Sequence, residues 1–246
     1  MKTQKFDISS AGLHILAMAF MLCDHLWATV IPGNDWLTCV GRLAFPIFAF
    51  LLVEGYFHTR NLKYYAFRLL VFAVISEIPF NLMCGSSLFY PIHQNVLWTF
   101  LIGLGMIHLN ETAKQSHKPL IVNLAPAVTV LLGGLLGIVT FCDYNAAGVL
   151  MVLMFYFCRG DHFWCYVCQF GGLYYINCEL LQGLVYPVNI FGYSFEFPQQ
   201  GFALLSLIFI WLYRGRKGYS SKWFQQLCYW FYPAHMLLLW VISRLM

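Results

Sequence analysis

Apolar runs of about twenty residues, the length a helix needs to cross a hydrocarbon layer, recur along the whole chain with only short polar turns between them. A backbone inside lipid must satisfy its own N–H and C=O groups, which leaves helices or closed barrels as spanning elements. The runs are unbroken and lack the strict alternation of barrel strands, so helices are expected. Composition agrees: of 246 residues 61% are hydrophobic and 10% charged, whereas soluble domains carry about 25% charge. No polar block of domain size interrupts the pattern. The expectation is a single integral membrane domain over residues 1–246, all-α and polytopic, with about nine transmembrane helices and a range of about eight to ten.

The expected spans are roughly 11–32, 37–58, 64–84, 94–109, 119–141, 145–158, 162–181, 199–213 and 223–245. The polar start MKTQKFDISS precedes a long apolar run with no marked small-residue cleavage site, and reads as the flank of an uncleaved first helix. Basic residues fall in alternate loops: Lys2 and Lys5, then Arg60 and Lys63, Lys114 and Lys118, Arg159, and finally Arg214, Arg216, Lys217 and Lys222. The loops between them contain no Lys or Arg. By the positive-inside rule the amino terminus is cytoplasmic and the Lys-free loops face outward. An odd span count puts the carboxyl terminus outside, where Arg244 departs from the rule.

Nine cysteines lie mostly in apolar runs, where a thiol behaves as a small hydrophobe. No disulfide framework is expected. The CxxC of Cys165 and Cys168 has no second pair and no His pair at ligand spacing, so no metal is expected. Gly133 and Gly137 have the GxxxG spacing that lets helices approach closely, with Gly103, Gly105 and Gly134 as further small positions. Trp27, Trp36, Trp98, Trp211 and Trp223 stand at span ends as interfacial anchors. GxSxG, Walker, HExxH and dinucleotide-binding patterns are missing, so hydrolase, nucleotide-driven and metalloprotease readings have no foothold. Nucleic acid is not an expected partner.

The spans nevertheless carry ionisable residues: His14, Asp24, His25, Arg42, Glu54, Arg68, Glu77, His108, Glu179 and His235. A charge at mid-bilayer costs about 3 kcal/mol on insertion scales, which implies pairing or a wet cavity. Arg68 and Glu54 stand near span ends, where long side chains snorkel. Asp24, His25 and Arg42 are harder to dismiss. The turn PGND joins their two helices, and His25 and Arg42 are each eight or nine residues from its centre, so they sit at nearly the same depth. Asp24 points about 100° away from His25, so one of the two meets Arg42 and the other a different helix, or both line a cavity. Two readings stay open: an Asp–Arg pair holding the hairpin with His25 as a hydrogen-bonded core residue, or a site that uses all three. For the second, imidazole exchanges protons near neutral pH. Arginine, always charged, stabilises developing negative charge. His235 lies mid-span, two residues after Pro233. Asp143 and Tyr144 occupy an outer turn, and Gln94, Asn95 and Thr99 begin the fourth span; alone they are ordinary caps and helix starts.

The run GRLAFPIFAFLLVEGYFHTRN, Gly41 to Asn61, resembles the signature of the TraX family, membrane proteins associated with amino-terminal acetylation of conjugative pilin. DHLW from Asp24, NVLWTF from Asn95, DYNAAGVLMVLMFY from Asp143 and the ending FALLSLIFIWLYRGRKG through FYPAHMLLL are similar to the same family in order and spacing, so the resemblance covers nearly the whole chain. The family in turn resembles multi-helix membrane acyltransferases, including heparan glucosaminide acetyltransferases. There a membrane-embedded histidine serves transfer from cytosolic acetyl-CoA to an acceptor across the bilayer, and a His precedes an FPxFxF helix much as His25 precedes Phe45, Pro46 and Phe48.

The resemblance implies His25 as catalytic residue, with Asp24 and Arg42 in support. Pro46, Glu54, Asn95, Thr99, Asp143, Tyr144, Tyr232 and His235 are the candidates for a substrate or acyl-donor cavity. It also implies acetyl-CoA as donor and a bacterial cytoplasmic membrane as location. The acceptor is left open between a peptide amino terminus, a glycan and a small molecule. In the expected mechanism His25, oriented by Asp24, takes the proton of an acceptor amine or hydroxyl arriving from the outer side, while Arg42 or a backbone N–H stabilises the oxyanion. A covalent route through Cys23 or Cys228 is a lesser option. Rival classes are a proton-coupled transporter or channel built on the Asp/His/Arg cluster, and a noncatalytic membrane scaffold.

Overall fold

A computed structural model describes residues 7–190 and 192–246; the expected amino-terminal charges Lys2 and Lys5 lie outside the described residues. The protein is mostly helical. The helices are α1 (Ser10–Thr29), α2 (Asp35–Gly41), α3 (Ala44–His58), α4 (Leu62–Gly85), α5 (Val96–Lys114), α6 (Pro119–Val139), α7 (Asn145–Phe157), α8 (Phe163–Tyr174), α9 (Ser206–Trp211) and α10 (Lys222–Leu245). A π-helical segment, Tyr175–Leu181, continues α8, and a 3-10 segment, Gln199–Leu205, precedes α9.

Five stretches are long and apolar enough to cross a membrane: Ser10–Thr29, Asp35–His58, Leu62–Gly85, Val96–Lys114 and Pro119–Val139. These match the first five expected spans to within a few residues. The remaining expected spans are also helical, but α7 and the Gln199–Trp211 segment are shorter. The 24 residues of α10 begin with the more polar KWFQQ.

Two features depart from a purely helical, uninterrupted reading. The second span is broken at Arg42 and Leu43, between α2 and α3. Pro46 explains the break: it has no N–H for the carbonyl of residue 42, four positions earlier, and its ring clashes with that carbonyl. The Lys-free loop before residue 198 forms an antiparallel hairpin, β1 (Val185–Ile190) with β2 (Tyr193–Pro198), in register from Val185 opposite Pro198 to Ile190 opposite Tyr193. Val, Ile, Tyr and Phe favour a pleated strand, and Gly192 supplies the positive φ of 85° at the turn.

The chain falls into two compact units, one formed by Met1–Leu51 with Asn177–Met246 and the other by Leu52–Ile176. In the first, α1 packs against α2 and α10. Ser9 caps α1 by accepting from Gly12 N at 3.2 Å. The amides of Ile8, Ser10 and Ala11 bond the carbonyls of Leu212, Arg216 and Lys217, so donors that a helix start leaves orphaned are satisfied by the basic segment. Arg216 also pairs with Asp7 at 2.8 Å. Ser221 caps α10 through Phe224 N at 3.0 Å.

In the second unit α5, α6 and α7 pack together, with α4 on α5 and α8 on α7. Gly133 and Gly137 are both buried. A Cβ at Gly137 would stand 2.6 Å from the carbonyl oxygen of Asn145, and one at Gly133 would stand 2.9 Å from Val149. A Cβ at Gly134 would meet nothing nearer than 3.9 Å. The GxxxG pair, and not the glycine between, is where α6 and α7 touch.

Candidate functional site

Asp24, His25, Arg42, Pro46, Tyr232 and His235 all belong to the first unit. Asp24 and His25 lie on α1, and the seven residues of α2 bring Arg42 back beside them. Asp24 Oδ1 pairs with the Arg42 guanidinium through Nη2 and accepts the Thr38 hydroxyl at 2.7 Å. Arg42 Nη2 also reaches Thr38 Oγ1 at 3.2 Å and its Nε donates to Thr38 O at 3.4 Å. Thr38 is fully buried, so its hydroxyl needs these partners. Gly41 makes the approach possible: a Cβ there would lie 2.4 Å from Asp24 Cβ.

His25 turns the other way. Its Nδ1 is 2.7 Å from His235 Nε2 on α10, and the two rings lie nearly parallel, 8° apart, with centroids at 4.8 Å. The His25 carbonyl accepts the Thr29 hydroxyl at 2.6 Å. Among the described residues His25 Nε2 has no hydrogen-bond partner. His235 is buried, and its Nδ1 donates to Phe231 O at 2.6 Å. Phe231 lies nearly parallel to its ring at 4.8 Å, and buried Tyr232 is tilted against it at 6.0 Å. Of the two sequence options, one side chain to Arg42 and the other to a different helix is what is observed. Asp24, expected to orient His25, is instead committed to Arg42 and Thr38. Pro46 is buried at the start of α3 and breaks the span.

Glu54, Asn95, Thr99, Asp143 and Tyr144 belong to the second unit. Glu54 accepts from Arg159 Nε at 2.6 Å, with His58 at 3.7 Å. Asn95, fully buried, caps α5 through Leu97 N at 3.1 Å and donates to Ala73 O at 2.8 Å and to Glu77. Trp98 Nε1 donates to the same Glu77 carboxylate at 3.0 Å. Thr99 donates to Asp143 O at 2.5 Å. Asp143 Oδ1 receives Tyr144 N at 3.1 Å and lies 3.2 Å from His93 Nε2. The hydrogen bond to Asp143 holds the His93 pKa above the usual imidazole value, against the opposing effect of burial. Thr99, Asp143 and His93 tie the start of α5 to the turn before α7, of which Tyr144 at φ 62° is part, while Asn95 and Trp98 tie it to α4.

Sequence reasoning missed Thr38 as the second partner of Asp24. Its signal was spacing, because Thr38 precedes Arg42 by one helical turn. It also missed His93 as the partner of Asp143, which no local spacing reveals. Among the described residues no group of three or more His, Cys, Asp or Glu is arranged to hold a metal ion.

A family model described as TraX protein matches residues 9–243. A relative from Dichelobacter nodosus, described as probable fimbrial assembly protein FimC, serogroup H1, is 28% identical over 264 residues, covering 96% of each chain. No solved structure matches.

Proposed function

The chain belongs to the TraX family, and from that premise we propose that it is a membrane-embedded acyltransferase moving an acetyl group from cytosolic acetyl-CoA to an amine or hydroxyl. The observation that carries the reading is the ring of His25: one nitrogen is held 2.7 Å from His235 and the other has no partner among the described residues. A general base needs that arrangement, a fixed ring with one open lone pair. His25 Nε2 takes the proton of the acceptor as its nitrogen or oxygen attacks the thioester carbonyl. The tetrahedral adduct then collapses, the C–S bond breaks, and the same proton leaves with the CoA thiolate as free thiol. Arg42, held rigid by Asp24 and Thr38, is the fixed positive group that supports the oxyanion.

Basic loops attract the phosphates of such a donor, and the positive-inside rule supports its binding from the cytoplasmic face, in a bacterial inner membrane. The relative's name, a fimbrial assembly protein, favours an exported acceptor such as a pilus subunit. A second reading has one specific support: the span broken at Arg42 and Leu43 beside an intramembrane ion pair is the kind of discontinuous helix that transporters use.

Radiolabelled acetyl-CoA with the purified protein in nanodiscs tests the proposal. CoA release that depends on an amine or hydroxyl acceptor, and that falls about 10²- to 10⁴-fold in His25→Ala, supports it. Absence of acetyl consumption with any acceptor, together with proton-coupled uptake in vesicles, replaces it with transport.

A further inference from the structure

We propose that His235 is a positioning residue that decides which nitrogen of His25 carries the proton, so that a pair of histidines does here what a histidine and a carboxylate do elsewhere. The inference rests on the reading of His25 as the base and adds the atom that acts and the residue that aims it.

The hydrogen-bond chain has one consistent direction. Phe231 O is a carbonyl and only accepts, so His235 Nδ1 carries a hydrogen. A neutral ring has one N–H, which leaves His235 Nε2 as a bare acceptor. His25 Nδ1, 2.7 Å away, must then be the donor. The remaining nitrogen, His25 Nε2, holds the open lone pair.

The alternative was within reach of His25. His14, His58 and His235 each donate Nδ1–H to the carbonyl four residues earlier, at 2.8, 2.8 and 2.6 Å. That contact is local and needs no partner helix. His25 does not use it, and reaches across to α10 instead. The receiving ring is well fixed: it is 6% exposed and nearly parallel to Phe231. No carboxylate touches His25 among the described residues, since Asp24 is held by Arg42 and Thr38.

The consequence for chemistry is specific. When His25 Nε2 takes a proton, the cation that forms donates its Nδ1–H to a neutral imidazole, and that bond becomes charge-assisted. The positive charge is spread over two rings, and the proton returns from Nε2 to the leaving thiolate. No net proton remains on the pair.

Nitrogen-15 NMR of histidine-labelled protein in nanodiscs tests this without any substrate, with His25→Ala assigning the His25 signals. The expected spectrum has His25 protonated on Nδ1 and bare on Nε2, with a coupling across the hydrogen bond to His235 Nε2. Asp24→Asn leaves that pattern in place. His235→Leu abolishes the coupling and releases the His25 tautomer. His235→Gln, whose amide oxygen can stand where Nε2 stood, keeps His25 protonated on Nδ1. In turnover His235→Leu lowers kcat about a hundredfold with KM changed less than about twofold, and Gln restores most of the loss. A wild-type spectrum with His25 protonated on Nε2, or a His25 tautomer indifferent to His235→Leu, overturns the proposal. If the Leu variant does not fold, the wild-type coupling and the Gln variant still decide. Lack of acetyl-CoA turnover in the wild type would end the acyltransferase reading while leaving the tautomer result standing.

Discussion

Asp24→Asn and Arg42→Met, made singly and together, form a thermodynamic cycle whose outcome follows from the geometry of the pair. Removing one partner of a buried ion pair costs about 3–5 kcal/mol, because the other charge is left without compensation. Here the two side chains retain 14% and 20% of their exposure. Solvent therefore offsets part of the loss, and each single substitution should cost about 2–3 kcal/mol. Asp24→Asn also weakens the 2.7 Å bond from Thr38, which then has a neutral acceptor instead of a charged one. In the double variant neither charge remains, and the cost should be about 2 kcal/mol, well short of the 4–6 kcal/mol expected from additivity. Unfolding by SDS titration in mixed micelles reads the cycle, followed by alkylation of the free cysteines, several of which are buried or half-buried. Additivity within about 0.5 kcal/mol would refute the pairing. A double variant that is folded yet inactive would assign Arg42 a part in the chemistry beyond holding the hairpin.

Gly137→Ala should destabilise by about 1–3 kcal/mol, because the new methyl meets a backbone carbonyl at 2.6 Å that cannot rotate away. Gly134→Ala, with nothing nearer than 3.9 Å, should be neutral or slightly stabilising in the same melt. His93 gives a pH dependence: its pKa is raised in the folded protein, mainly by Asp143. Its contribution to stability is thus full below the unfolded imidazole value of about 6.5 and is lost as pH rises through the raised folded value. Melting temperatures of wild type and His93→Gln across that window should converge at the alkaline end, and parallel curves would refute the coupling.

The sequence made some contacts legible because they are local. Counting residues from the PGND turn put His25 and Arg42 at one depth, and the 100° step between Asp24 and His25 predicted that they would face different neighbours. A hairpin of adjacent helices keeps such counts meaningful. The break after Arg42 was written in Pro46, yet the apolar run around it read as one continuous span. The β1–β2 hairpin was hidden for a similar reason, since a Lys-free loop of Val, Tyr and Phe looks like any outer loop until its strands pair.

Hydropathy, charge and turn chemistry by themselves determined that this is a helical membrane protein, roughly where its long spans begin and end, and that Asp24, His25 and Arg42 are out of place among apolar neighbours. Only the tertiary structure decided what each of the three holds. His25 and His235 are separated by 210 positions, and no periodicity relates α1 to α10. Helix formation depends on neighbours within a turn or two, whereas the partner of a side chain depends on how helices pack, which is settled by shape and contact over the whole unit.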